Sequence, residues 1–327
     1  MKFDVTILGA NSAKFAHGRH QTSQLVCHNE HLFLLDCGEG TQLQLMRYRL
    51  KMSRINQIFI THLHGDHFLG LLGLILTLHL NGRTQRLEVF GPPGLDEILA
   101  VQLRWSETAL SFPLIVTPVP AGPSRTVWEN EHLEVLTIPL EHRIPCNGYF
   151  FREKQGKRRL VASAIDTYGL RPQHIAMVRR GEDVYADTGE LLIDHRHVTL
   201  PPHPRRSYAF CSDTRLLPQN AALLQGADLL YHEATFLHEQ QDRAAATFHT
   251  TARQAAEFAT LAQARRLIIG HFSSRYRELA PLLDEARTYF ASTHLAEEGV
   301  TFDIPYPDQE ADASSAAAAP WAEPVQA

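Results

Sequence analysis

Histidine and carboxylate side chains do metal and proton chemistry, and this sequence concentrates them in one short stretch. In Ile58-Phe-Ile-Thr-His-Leu-His-Gly-Asp-His67, His62, His64, Asp66 and His67 fill four of six consecutive positions. Setting that many polar groups against an apolar run costs free energy unless a cation orders and neutralises them. Imidazole and carboxylate are donors that zinc takes, so the spacing reads as the nucleus of a metal site. The same residue types recur singly downstream, each closing an apolar run: His142, Asp213 and His271. Together these residues make two sites if one carboxylate is shared. His62, His64, His142 and Asp213 are assigned to one zinc ion. Asp66, His67, His271 and the same Asp213 are assigned to a second. Two divalent cations a few ångströms apart make water nucleophilic at neutral pH and stabilise both oxygens of an in-line displacement. Such a set gives a hydrolase without giving its substrate.

These side chains need strand ends to hold them. Residues 2–10 read as an opening strand, followed by strands at 22–27 and 31–36. Asp36-Cys-Gly-Glu-Gly40 then turns into a helix reaching about Leu50. Asp36 reads as a buried structural carboxylate bracing the metal loop. The β-branched run at Ile58–Ile60 is a buried strand, and Gly65 allows the chain to turn tightly after it. Phe68–Leu80 has the length of one buried helix and is too short to span a bilayer, so no membrane partner is expected. Further strands are expected at 87–90, within 112–141 and at 148–151, with a helix at 95–103. After residue 207 the pattern gives strands at 207–213, 228–232 and 266–270, and helices at 218–225, 251–265 and 279–293, with Thr250 as an N-cap.

Composition sets the surroundings. The chain has 327 residues, 44% of them apolar, and a net charge of −5. Its four cysteines are scattered, without a CxxC pair or secretory leader, and are expected to be reduced thiols of a cytoplasmic protein. Residues 152–206 run against the acidic whole, with eleven Lys and Arg against seven Asp and Glu. Prolines at 172, 201, 202 and 204 interrupt that stretch, which reads as a projecting insertion without long elements. It is either a solvated surface loop or a nucleic-acid contact made by Lys154, Lys157, Arg158, Arg159, Arg179 and Arg180. Residues 308–327 hold eight alanines, four acids and no base, and are expected to be disordered.

The order strand, strand, Asp-Cys-Gly, helix, strand, His-x-His-x-Asp-His resembles the first half of the metallo-β-lactamase superfamily. A narrower resemblance rests on several stretches together. They are Thr61-His-Leu-His-Gly-Asp-His-Phe-Leu-Gly-Leu-Leu-Gly-Leu74, Phe210-Cys-Ser-Asp-Thr214, His232-Glu-Ala-Thr-Phe236, His249-Thr-Thr-Ala-Arg-Gln-Ala-Ala256 and Leu267-Ile-Ile-Gly-His-Phe-Ser-Ser-Arg-Tyr276. Over residues 2 to about 304 they closely resemble the RNase Z family of tRNA 3′-processing endoribonucleases.

The resemblance implies an α/β fold, the αββα metallo-β-lactamase sandwich with an inserted flexible arm. Its halves would be 1–151 and 207–307, the tRNA-binding arm 152–206 and the tail 308–327. It implies two Zn2+ per subunit, no nucleotide cofactor, precursor tRNA as substrate, and a homodimer in which one subunit's arm presents tRNA to the other's site. Cleavage would leave a 3′-hydroxyl on the tRNA. Asp66 would accept the proton of the attacking water, and His249, held by Glu233, would serve as general acid or transition-state contact. Two departures stand out: the Lys14–His20 loop differs from the commoner proline- and arginine-containing version, and the insertion lacks a Gly-Pro-rich tip. One competing reading is a superfamily phosphodiesterase acting on small esters or cyclic nucleotides, which would not need the basic insertion. The other is a non-catalytic RNA-binding scaffold, which would not need the complete ligand set.

Overall fold

The computed structural model of the chain describes residues 1–306. The expected tail at 308–327 lies outside the described residues. Contacts divide the chain into two compact units: residues 1–129, 134–152 and 207–304 form one, and residues 130–133 and 153–206, with Pro305 and Tyr306, form the other.

The larger unit is built on two seven-stranded mixed sheets. In the first, Thr301–Asp303, Phe3–Gly9, Ser23–His28 and His31–Leu35 run antiparallel, and Ile55–Phe59, Leu87–Gly91 and Leu114–Pro118 continue in parallel. In the second, Thr293–Leu295, Leu267–Gly270, Leu229–Glu233 and Ser207–Cys211 are parallel, and Asn147–Glu153 joins Ser207–Cys211 antiparallel. Leu133–Pro139 and Thr126–Glu129 complete that sheet.

Alternation along the strands decides which side chains go where. Ile58 and Ile60 face a core made with Leu71, Leu74, Ile75 and Leu78 of the Leu71–Leu80 helix and with Leu95 and Leu99 of the Leu95–Trp105 helix. Phe59, between them, faces the second sheet, its ring 5.1 Å from Tyr149 and 5.7 Å from Phe151. Phe33 meets Phe151 at 5.5 Å, so the inter-sheet layer is aromatic. The Tyr149 hydroxyl donates across that layer to the Ile60 carbonyl at 2.8 Å, immediately before the metal loop. On the outer side of the second sheet lie the helices Ala252–Leu261 and Ala280–Tyr289.

Three expectations shift. The helix expected over 68–80 is two, Gly65–Phe68 and Leu71–Leu80, with Gly70 packed onto the Gly38 carbonyl where a Cβ would stand 2.2 Å away. The helix expected at 218–225 is a single 3-10 turn, Pro218–Ala221. The N-cap is Thr251, whose hydroxyl accepts from the Gln254 amide while the Gln254 carboxamide accepts from the Thr251 amide. Thr250 instead donates to the Thr214 carbonyl at 2.7 Å.

The smaller unit is better ordered than its composition implied. Pro172 opens the Pro172–Arg180 helix at a first-turn position that needs no donor, and Gly181 closes it at φ 86°. Two short antiparallel pairs, Arg159–Leu160 with Thr199–Leu200 and Val184–Tyr185 with Leu191–Ile193, surround a small core of Ala164, Leu170, Val178, Val184, Ile193 and Val198. The chain enters and leaves through a buried ion pair, Glu153 with Arg206 at 2.7 Å.

Candidate metal centre

Five of the larger unit's strands deliver their polar groups to one end. The loop after Ile55–Phe59 carries His62, His64, Asp66 and His67. His142 follows Leu133–Pro139, Asp213 follows Ser207–Cys211, Glu233 closes Leu229–Glu233 and His271 follows Leu267–Gly270. The carboxyl ends of parallel strands are where such sheets leave a crevice.

The donor atoms converge in two groups that share one residue. His64 Nδ1 lies 3.0 Å from His62 Nε2 and 3.1 Å from His142 Nε2. Asp213 Oδ2 stands 3.7 Å from each of those two Nε2 atoms. Its other oxygen, Oδ1, faces His67 Nε2 at 3.3 Å and His271 Nε2 at 3.0 Å. Asp66 Oδ2 is 3.5 Å from both of these nitrogens. Asp213 thus presents one oxygen to each group.

Every ring except that of His64 has its far nitrogen fixed from behind. His62 Nδ1 contacts Thr61 Oγ1 at 3.0 Å, and His67 Nδ1 donates to Asp36 Oδ2 at 2.8 Å. His142 Nδ1 donates to the Phe248 carbonyl at 3.0 Å, and His271 Nδ1 contacts Thr235 Oγ1 at 3.0 Å. Such contacts fix the tautomer and aim the other nitrogen. Asp36, wholly buried, also takes the Thr61 amide at 2.8 Å and so anchors the loop.

The site fits a divalent cation. His67 Nε2 and His271 Nε2 are buried and, among the described residues, neither makes an aligned hydrogen bond although Asp213 Oδ1 stands 3.3 and 3.0 Å away. Burial pushes the Asp36 carboxyl up. Burial acts on Asp66 and Asp213 in the same direction, but neighbouring histidines outweigh it and hold both well below the usual carboxylate range. Burial opposes charge on His67, yet Asp213, Asp66 and Asp36 draw its pKa well up. Three carboxylates this deep call for positive charge among the converging nitrogens.

A second constellation adjoins the first. Glu233 Oε1 accepts from His249 Nδ1 at 2.7 Å and from the Thr214 amide at 3.0 Å. Its Oε2 accepts from the Thr235 amide and hydroxyl at 3.1 and 2.7 Å. Burial lowers the pKa of His249, but Glu233 overrides it and raises it to about 9. The His249 ring centroid lies 5.2 Å from that of His142 and 5.4 Å from that of His271.

All nine expected metal and catalytic side chains therefore meet. The six expected RNA contacts lie in the smaller unit, and most are engaged within it. Arg158 donates to Thr199 Oγ1, Arg159 to the Pro201 carbonyl, Arg179 to the Arg158 carbonyl, and Arg180 pairs with Glu182. Lys157 is exposed and Lys154 half-buried. Sequence reasoning did not single out Thr61, Thr235 or the Phe248 carbonyl, whose types carry no metal signal. It also missed Ala13, whose amide donates to Asp66 Oδ2 at 2.7 Å from a left-handed φ of 55°.

Comparison with known proteins bears on the fold and the family. A family model described as anti-Pycsar protein Apyc1 matches residues 3–110, and a β-lactamase superfamily domain model matches residues 197–272. The ribonuclease Z of Cytophaga hutchinsonii is 48% identical over 93% of this chain and 97% of its own length. That of Bacteroides thetaiotaomicron is 43% identical over 93% of this chain and 96% of its own. The crystal structure of the short form of human tRNase Z superposes with a TM-score of 0.66 at 29% identity, covering 92% of this chain and 99% of that one. The metallo-β-lactamase fold protein YhfI of Bacillus subtilis, 16% identical with a TM-score of 0.64, shares the fold.

Proposed function

The chain belongs to the ribonuclease Z family of metallo-β-lactamase-fold endoribonucleases, which process the 3′ end of tRNA, and we propose how its residues divide that work. The observation that carries the activity is identity of 41–48% to curated ribonucleases Z over more than nine-tenths of both partners. The centre is a divalent metal site, and we assign two Zn2+ to it. His62, His64, His142 and Asp213 would hold one, and Asp66, His67, His271 and Asp213 the other, with Asp213 supplying one oxygen to each. When bound, such cations make water nucleophilic at neutral pH and stabilise charge on the phosphodiester oxygens.

The chain's own groups handle the protons. Asp66, steadied by the Ala13 amide, takes the proton of the attacking water. The tRNA 3′-oxygen leaves as its bond to phosphorus breaks, and it needs a proton. His249 delivers one: Glu233 holds its Nδ1, so Nε2 is the nitrogen left for the leaving oxygen. The products are a tRNA ending in a 3′-hydroxyl and a trailer beginning with a 5′-phosphate.

Residues 152–206 are assigned as the arm that binds tRNA away from the cut. Lys154, Lys157, Arg158, Arg159, Arg179 and Arg180 supply its positive surface, which makes affinity salt-dependent. A homodimer is supported by apolar side chains left bare on the larger unit. Leu43 and Met46, on one face of the Thr41–Arg47 helix, are 61% and 59% exposed, and Leu69 is 56% exposed. Among the described residues no helix is long and apolar enough to cross a membrane, and we place the enzyme in the cytoplasm.

One assay tests the assignment: zinc-loaded protein incubated with a precursor tRNA bearing a 3′ trailer and, separately, with bis(p-nitrophenyl) phosphate. Endonucleolytic trailer release is expected, abolished by Asp66→Ala. Hydrolysis of the small ester without trailer release would mark a phosphodiesterase of small substrates instead.

A further inference from the structure

An apolar cavity of about 460 Å3 opens beside the metal loop, and neither the proton chemistry nor the donor set uses it. Its walls are Leu63, Ile144, Ala121 and the prolines Pro92, Pro93, Pro120 and Pro145. Two of these walls are continuous with metal ligands. Leu63 stands between His62 and His64, and Ile144 and Pro145 follow His142 by two and three positions.

The cavity is also built in advance. Asn147, 2% exposed, donates its carboxamide to the carbonyls of Val119 and Pro120 at 3.1 and 3.3 Å. Its amide donates to the Thr61 carbonyl at 3.2 Å. One buried residue thus ties the Pro120 wall to the strand end that carries Leu63. Arg125 adds a second tie, donating to the Pro120 carbonyl at 2.6 Å.

A cation adjoins one of its walls in sequence. Arg143, between His142 and Ile144, is exposed and makes no hydrogen bond or ion pair among the described residues. An exposed cation one residue from the wall of an apolar, proline-lined slot matches the alternation of a single RNA strand, whose anionic phosphates flank flat, weakly polar bases. Proteins take unstacked bases between aromatic or apolar side chains and track the phosphates with Arg or Lys.

We propose that this cavity seats the nucleobase next to the scissile phosphate, turned out of its stack, with Arg143 holding the phosphate beside it. The occupant is a nucleotide of the RNA being cut, so the proposal rests on the ribonuclease Z activity. A seated base, besides adding affinity, fixes where along the strand the bond meets the metal centre.

The test compares three protein forms, wild type and two variants, on three precursors: intact, abasic just 5′ of the cut, and abasic just 3′ of it. Ala121→Trp fills the rim of the cavity, and Arg143→Ala removes the exposed cation with little risk to folding. Loss of the seated base should lower kcat/KM of wild type about tenfold on one of the two abasic precursors. Ala121→Trp should fall about as far on the intact precursor and show no added loss on that abasic one. Arg143→Ala should lower the salt slope of RNA binding by about one. Full additivity of filling and base removal overturns the proposal, as does indifference of wild type to both abasic precursors. If wild type cuts the intact precursor but the comparison shows no coupling, the cavity assignment alone falls. If wild type releases no trailer at all, the activity it rests on falls with it.

Discussion

Glu233 accepts four hydrogen bonds while wholly buried, and two of its donors come from Thr235, which also touches His271. One threonine therefore couples the proposed acid to a proposed metal ligand. Glu233→Gln keeps the shape but cannot sustain a charged imidazole, so single-turnover trailer release should slow by about 10²–10⁴, with the KM for tRNA little changed. A KM effect alone would assign Glu233 to substrate binding instead. Asp36 sits one step further back, behind His67 and Thr61. Asp36→Asn should weaken metal binding about 10–100-fold in chelator competition, by loosening the ring of His67. Strain marks the same neighbourhood. Ala13, Asp36, Phe248 and His271 all adopt left-handed backbone, at about 1–3 kcal/mol each for a residue bearing a Cβ.

At the scale of elements, the sequence made some features plain and hid others. Strand ends delivering His142, Asp213 and His271 were legible because short apolar runs stop abruptly on a polar residue. The break between Phe68 and Leu71 was not, because apolar periodicity runs straight through Leu69, and only the close approach of Gly70 to the Gly38 carbonyl ends the first turn. The backbone amide of Ala13 carries no side-chain signal at all. The smaller unit was harder still. Its strands of two or three residues fall below any window in which a period of two can be counted, and Pro172, read as an interruption, begins a helix. A core of six residues holds that unit together, so Val178→Asp should unfold it. Trailer release should then be lost while hydrolysis of bis(p-nitrophenyl) phosphate survives; equal loss of both would refute the arm assignment.

For the molecule as a whole, the metal centre is a joint between distant parts of the chain. Ligands bound to the native state but not to the unfolded chain stabilise by about 2.7 kcal/mol at a hundredfold excess over Kd. Stripping metal with a chelator should therefore lower the melting temperature by several degrees in differential scanning calorimetry, and added zinc should restore it. An unchanged transition would mean that the donors pack as well empty as filled. The span of the donor set has a further consequence, one of time. The loop from His62 to His67 supplies its donors within six residues, but Asp213 and His271 lie far along the chain and reach the site only when the second sheet's parallel strands have paired. Parallel pairing across long separations is slow to form. During synthesis the emerging chain can offer no more than a weak, open cluster, and tight capture of the cation waits for the strand Leu267–Gly270 that delivers His271. Metal uptake, followed during refolding, is thus a clock for the pairing of the second sheet's parallel strands.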